Sequence, residues 1–155
     1  MDPARTLYSE HTQLINKLLF SSTVINSFAA NIGLAGLRIF TGLSMAIAHG
    51  VGKIPPSEGV TKGIAEMRFP APHWFAWAAG LSEFGGGILI AMGLLTRPSS
   101  FFLGVTMFVA AFIRHAADPF MRKEKALLFL SLAVFFTLVG AGRYSLDRII
   151  RPARY

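Results

Sequence analysis

The sequence contains no cysteine among its 155 residues. That absence excludes disulfides, thiol catalysis, cysteine-ligated clusters and covalent haem attachment. No nucleophile triad, phosphate-binding loop or metal-binding motif is visible either, so the sequence gives little support for standalone catalysis and predicts no metal site. The net charge is +7, but no basic motif stands outside the apolar runs, and a nucleic-acid partner is therefore not expected.

Long apolar runs fill the chain instead. Hydrophobic residues make up 53% of it, and the mean hydropathy is +0.52. A helix that crosses the bilayer core needs about 20 apolar residues. Four runs approach or reach that length, at 29–52, 74–95, 98–117 and 125–142. We therefore predict an all-α integral membrane protein whose residues 29–142 form a four-transmembrane-helix bundle in contact with the lipid bilayer.

The two ends of the chain are predicted to flank this bundle. Residues 143–155 are expected to form a short basic C-terminal helix or tail. Residues 1–28 place apolar side chains on one helical face, which favours an amphipathic helix in the membrane interface; the alternative is a tail that pairs with a partner helix. Four spans put both termini on one side, but Lys and Arg divide eight to seven between the two sides and do not decide orientation.

Two charged residues lie deep within predicted spans, Arg38 in the first and Glu83 in the second. A charge at mid-membrane costs roughly 3 kcal/mol on insertion scales, so each should face protein rather than lipid. At 1.5 Å per residue, each lies about 13 Å inside opposite faces of a core of about 30 Å. We therefore predict an Arg38–Glu83 ion pair. Small residues at four-residue spacing in the first span and the Gly85–Gly87 run predict close helix contacts.

Polar side chains converge at one predicted mouth of the bundle, above Glu83. The hypothesis is a pocket, lined by His49, Lys53, Glu83, Arg114 and His115, that suits a quinone headgroup or another small polar molecule. The alternative is that these residues, with Asp118 and Glu124, form ion pairs that fix the helices. A haem or metal site shared by His49 and His115 is disfavoured, because no HxxxH or similar spacing supports it.

Several motifs in order carry a family resemblance. LRIFTGLSMAIAHGVGK, FPAPHWFAWAAGLSEFGGGILIAMGLLTRP, EKALLFL and GAGRYSLD together resemble the DoxX family of small bacterial four-helix membrane proteins, over residues 32–150. The resemblance implies a multi-pass protein of the bacterial inner membrane with both termini cytoplasmic. Its recurrent polar positions fall on Arg38, His49, Lys53, Glu83, Arg97, Glu124, Arg143, Ser145 and Asp147, and we expect structural ion pairs among Arg38, Glu83, Arg143 and Asp147.

The resemblance also implies a function. Family members look like accessory membrane subunits linked to redox chemistry, which makes other membrane or redox subunits the expected partners and a quinone the expected ligand class. The first hypothesis is accordingly a redox-accessory subunit with a polar pocket. The second is a non-catalytic membrane module that binds or stabilises partner proteins. Small-solute transport is a third and weaker hypothesis, since one four-helix protomer offers little room for alternating access.

Overall fold

A computed structural model describes residues 22–150, and the regular secondary structure in that range is helical. Two of the long helices change winding near one end. The helix that begins at Phe28 continues through a π turn, Ala46–Gly50, and a 3₁₀ turn, Val51–Lys53, and the helix that begins at Thr96 continues through a π turn, Ala110–Arg114. The helices are α1 Phe28–Met45, α2 Glu58–Glu66, α3 Pro72–Met92, α4 Thr96–Val109, α5 Phe120–Val139 and α6 Leu146–Ile150.

Three helical stretches are long and apolar enough to cross a membrane: Phe28–Lys53, Pro72–Met92 and Thr96–Arg114. They confirm the all-helical membrane class and three of the predicted spans. The fourth predicted span differs, because α5 carries four consecutive charges at residues 122–125. Its uncharged part, 126–139, is about 14 residues and about 21 Å long at 1.5 Å per residue, short of the usual spanning length.

The N-terminal prediction is wrong where the structure describes it. Residues 22–27 are not helical, although they belong to the predicted 1–28 helix. The Thr23 N–H donates to the Val139 carbonyl at 2.9 Å, and Ile25 packs against the bundle core. Residues 22–27 are thus a non-helical stretch that contacts the end of α5. Residues 1–21 lie outside the described range, as do residues 151–155 of the predicted C-terminal segment.

The four long helices share one core, with α3 packed between α1 and α4, and α4 packed between α3 and α5. Small residues set how α1 meets α3. A Cβ added to Gly42 would lie 2.6 Å from the Ala91 nitrogen, and one added to Gly87 would lie 2.7 Å from the Gly42 carbonyl oxygen. The close contact predicted from glycine spacing is therefore present, with Gly87 as the partner.

This contact fixes the register and separates the two charges that were expected to pair. Gly50 faces the backbone of Phe84, which places Glu83 beside the end of α1. Arg38 lies on the other side of Gly42, where its guanidinium abuts Gly93. Arg38 and Gly50 are twelve residues apart, about 18 Å along a helix, so the structure does not form the Arg38–Glu83 pair.

Candidate functional site

Glu83 is buried in the middle of α3, with 2% of its side chain exposed, and Lys53 is its ionic partner. The Lys53 Nζ donates to both carboxylate oxygens at 2.6 Å. Lys53 reaches α3 because the π and 3₁₀ turns at the end of α1 carry its backbone over Gly80, whose missing Cβ would lie 2.5 Å from the Lys53 carbonyl oxygen. Glu83 thus has a cationic partner. That partner is Lys53, which the sequence predicted only as a pocket residue, and not Arg38.

A cavity of about 980 Å³ adjoins this pair, which is at the upper end of the range for small-molecule sites. It forms a groove between α3 and α4, and α2 covers one end of it. Glu83 and Lys53 line it together with Arg114 and His115, so the structure brings four of the five predicted ligand-binding residues to one cavity. Most of the remaining lining is apolar, including Met67, Leu89, Phe102 and Val109.

The end of the groove beneath α2 carries the remaining charged groups. The Arg114 Nη1 lies 3.2 Å from Glu66 Oε2 of α2, and its guanidinium also packs on Gly63. The His115 Nδ1 bonds Asp118 Oδ2 at 2.7 Å, and this hydrogen bond holds the pKa of Asp118 below its ordinary value. Each charge at the mouth therefore has a partner, which fixes its position at the entrance.

His49 does not line the cavity with the other four. Its ring packs edge-on against Phe129 of α5, with centroids 5.5 Å apart. It still acts electrostatically on the Glu83 carboxylate, so it belongs to the surroundings of the site. No group of three metal-binding side chains occurs between residues 22 and 150.

Two hydroxyl groups that line the cavity, those of Ser82 and Thr106, were not predicted from the sequence. Ser82 Oγ of α3 and Thr106 Oγ1 of α4 lie 2.7 Å apart, and Ser82 directly precedes Glu83 in the sequence. Single hydroxyls in apolar helices are common and usually bond the preceding turn, as Thr106 also bonds the Phe102 carbonyl. Only the packing of α3 on α4 reveals that these two meet.

A second polar cluster, the C-terminal knot, lies at the opposite end of α3 and consists of Arg38, Gly93, Tyr144, Ser145 and Asp147. The Asp147 carboxylate accepts hydrogen bonds from the Leu95 N–H at 2.8 Å and the Thr96 N–H at 3.1 Å, which caps α4. The Arg38 Nη2 donates to the Tyr144 carbonyl at 2.7 Å, and Arg38 interacts electrostatically with Asp147.

Arg143 occupies a different place from the one expected of an ion-pairing residue. It is exposed, and its backbone N–H donates to Asn31 Oδ1 at 3.3 Å. Asp147, which was also expected among the structural ion pairs, caps α4 through the Leu95 and Thr96 N–H groups. Ser145 starts α6 by accepting from the Arg148 N–H at 3.3 Å.

Comparison with known proteins places these features in a family. The DoxX family profile matches residues 33–116. The inner membrane protein YqjF of Escherichia coli is 30% identical over 126 residues, which cover 77% of this chain and 93% of YqjF. The Bacillus subtilis protein named "Putative oxidoreductase CatD" is 28% identical over 120 residues, 77% of this chain and 87% of CatD.

An uncharacterized protein of Haemophilus influenzae is 40% identical over 76 residues. That match covers 44% of this chain and spans only 57% of the relative's length. No solved structure matches the chain.

Proposed function

The chain belongs to the DoxX family, and from that premise we propose that it is an accessory subunit of a redox complex in the bacterial inner membrane and binds a quinone-like ligand in the α3–α4 groove. The observation that carries the proposal is the buried Glu83 carboxylate, paired with the partly exposed Lys53, on the wall of a large apolar groove. Ionisable groups at membrane depth are costly and usually functional. The name of the relative CatD, an oxidoreductase, supports a redox setting.

The chemistry of the groove suits a quinone headgroup. Lys53, Arg114 and the hydroxyls of Ser82 and Thr106 can donate hydrogen bonds to carbonyl oxygens. Glu83 and His115 can exchange protons, which quinone reduction requires. The apolar side chains of the groove can pack against the rest of the quinone ring. No residue supplies electrons, so in this proposal the electrons come from a partner subunit.

Titration of the purified protein with a quinone analogue tests the proposal. We expect saturable binding to the wild type and weaker binding to Glu83→Gln and His115→Gln, because each change removes a proton-exchanging group from the cavity. Glu124→Gln is the matched control, since Glu124 is exposed and lies outside the cavity lining. Absence of saturable binding to the wild type, or equal binding by all variants, would contradict the proposal.

A non-catalytic membrane module is the second candidate, and one observation favours it. The charges at the groove pair with one another: Lys53 with Glu83, Arg114 with Glu66, and His115 with Asp118. A network that only fixes helices would have the same pairs. In that case the wild type would bind no quinone, and the Glu83→Gln change would lower the melting temperature. Mild purification followed by identification of co-purifying quinones and proteins separates the two candidates further.

The proposal includes a four-span topology with both termini in the cytoplasm. The outer face of α5 exposes Leu128, Val134, Phe135 and Leu138, which suits contact with lipid, while Phe136 is buried in the shared core. Arg122 and Lys125 can extend toward the headgroups and lengthen the spanning part of α5.

The absence of native cysteine makes this topology simple to test. Cysteines introduced singly at Ser57 and Arg154 should be labelled from opposite sides of the membrane. Labelling from the same side would mean that α5 does not cross, and the four-span topology would be wrong.

A further inference from the structure

We infer that the groove also binds the apolar tail of its ligand, so that the occupant is a single-chain amphiphile that enters sideways from the bilayer. This inference rests on the proposed function and specifies the ligand class for the same site. It depends on three features of the groove: its length, the distribution of polar groups along it, and the exposure of its rim.

The groove is much longer than a headgroup. Along α4 and its flanking residues the lining runs from Leu95 to His115, twenty residue steps, or about 30 Å at 1.5 Å per step. Polar side chains are concentrated in the half beneath α2, down to the level of the Ser82–Thr106 hydrogen bond. Below that level the groove continues for about 16 Å, the rise of the eleven residue steps from Leu95 to Thr106.

The lower half is built for an apolar chain. Apart from Ser99, its lining consists of glycine, proline and hydrophobic residues: Gly86, Leu89, Leu95, Pro98 and Phe102. A headgroup held near Lys53 and Glu83 would leave this half unfilled, whereas an attached tail would fill it. A membrane lipid tail is as apolar as leucine, so the gain on binding comes from van der Waals contact along the groove.

The groove opens toward the lipid along its side. Three of its lining residues, Leu81, Phe102 and Val105, are also 55%, 61% and 49% exposed. In a membrane these surfaces contact acyl chains. A tail that already lies in the bilayer can therefore move between α3 and α4 without passing through water.

Gly86 offers a means to block only the tail. It lines the lower half one turn from Glu83, and a Cβ added there meets nothing closer than the Ser99 carbonyl oxygen at 3.7 Å. A leucine side chain at this position would extend into the groove. Gly85 is the matched control, since it lies outside the lining and has nothing within 4 Å of an added Cβ.

The experiment compares two probes, a tailless benzoquinone and the same ring with a decyl tail, titrated against full-length protein in lipid nanodiscs. We expect the wild type and Gly85→Leu to bind the tailed probe several-fold more tightly than the tailless one. Gly86→Leu should bind the tailless probe like the wild type and lose the preference for the tail. Leu89→Trp, which narrows the same half, provides a second variant if Gly86→Leu fails to fold.

The outcomes separate the two proposals. Equal affinity of the wild type for both probes, or an unchanged tail preference in Gly86→Leu and Leu89→Trp, overturns the tail site and leaves the headgroup site standing. Failure of both probes to bind the wild type overturns the proposed function, and this inference with it.

Discussion

The two buried polar clusters differ in what surrounds their charge. In the C-terminal knot, the Asp147 carboxylate is bonded to backbone N–H groups of Leu95 and Thr96, and protein encloses it. At the groove, the Glu83 carboxylate is bonded to one flexible side chain, Lys53, which is 32% exposed and adjoins a cavity. Backbone groups cannot leave their positions without unfolding, whereas a lysine side chain can rotate away.

This difference assigns the two clusters different roles. The knot joins the start of α4 to the residues after α5 and holds Leu95 in a left-handed conformation, at a φ of 48°, that side chains rarely adopt. The Arg38 Nε and Nη1 find no hydrogen-bond partner among residues 22–150, so Asp147 is the better-satisfied member. We therefore expect changes in the knot to affect stability and changes at the groove to affect binding.

Replacement of Asp147 should have the largest effect. Asp147→Ala removes the two hydrogen bonds that cap α4, and hydrogen bonds to a charged group are worth about 1.5–3 kcal/mol each, so we expect a loss of about 3–5 kcal/mol in the free energy of unfolding. Thermal unfolding in detergent measures it. Asp118→Ala is the control at a half-exposed carboxylate. A melting temperature unchanged in Asp147→Ala would mean that the knot does not hold the bundle together.

The Lys53–Glu83 pair should show an asymmetric response. Lys53→Met leaves a buried carboxylate unpaired and should cost about 1.5–3 kcal/mol, the range for hydrogen bonds to charged groups. Glu83→Met should cost less, because Lys53 can extend toward water. In the double variant much of the larger loss should be recovered. Simple addition of the two losses would show that the pair contributes nothing.

Two glycines test the contrast between the clusters with a single added methyl group. Gly93→Ala forces alanine into a φ of 69° and against the Arg38 guanidinium, so we expect a stability loss of about 1–3 kcal/mol with ligand affinity unchanged. Gly80→Ala would place its Cβ 2.5 Å from the Lys53 carbonyl oxygen, a backbone atom that must shift, so it should weaken binding in addition to lowering stability. Melting temperatures and quinone titrations of both variants check this. The opposite pattern would reverse the roles assigned to the two clusters.

The smallest effect is expected at Asp118, on the surface of the groove mouth. Its pKa is lowered in the folded protein by the hydrogen bond from His115, so its charged form stabilises the fold at pH values above its unfolded pKa of about 3.9. That contribution is lost as the pH falls through the folded pKa. Wild type and Asp118→Asn should therefore differ slightly in melting temperature near neutral pH and converge in strong acid. A difference that grows on acidification would contradict this assignment.

Much of the fold follows from the sequence alone. Apolar runs longer than a soluble helix can bury predict the three membrane-spanning helices. Local signals are also present at two helix starts, since Ser57 caps α2 and Pro72 lies in the first turn of α3. The cost of charge in lipid predicts that Arg38 and Glu83 face protein, and both are buried in the structure. These inferences succeed because they depend on local composition and on the bilayer, which are the same for any membrane helix.

The partners of those charges depended on the tertiary structure. Depth counted from the membrane faces placed Arg38 beside Glu83, but the close contact of Gly42 with Gly87 shifts α1 along α3 and puts Lys53 there instead. The groove, the Ser82–Thr106 pair and the cap at Asp147 likewise come from side chains distant in sequence. Composition determined which residues must be buried, because desolvation acts on each residue separately. Only helix packing determined which residues meet, because register is set by backbone contacts that no single segment contains.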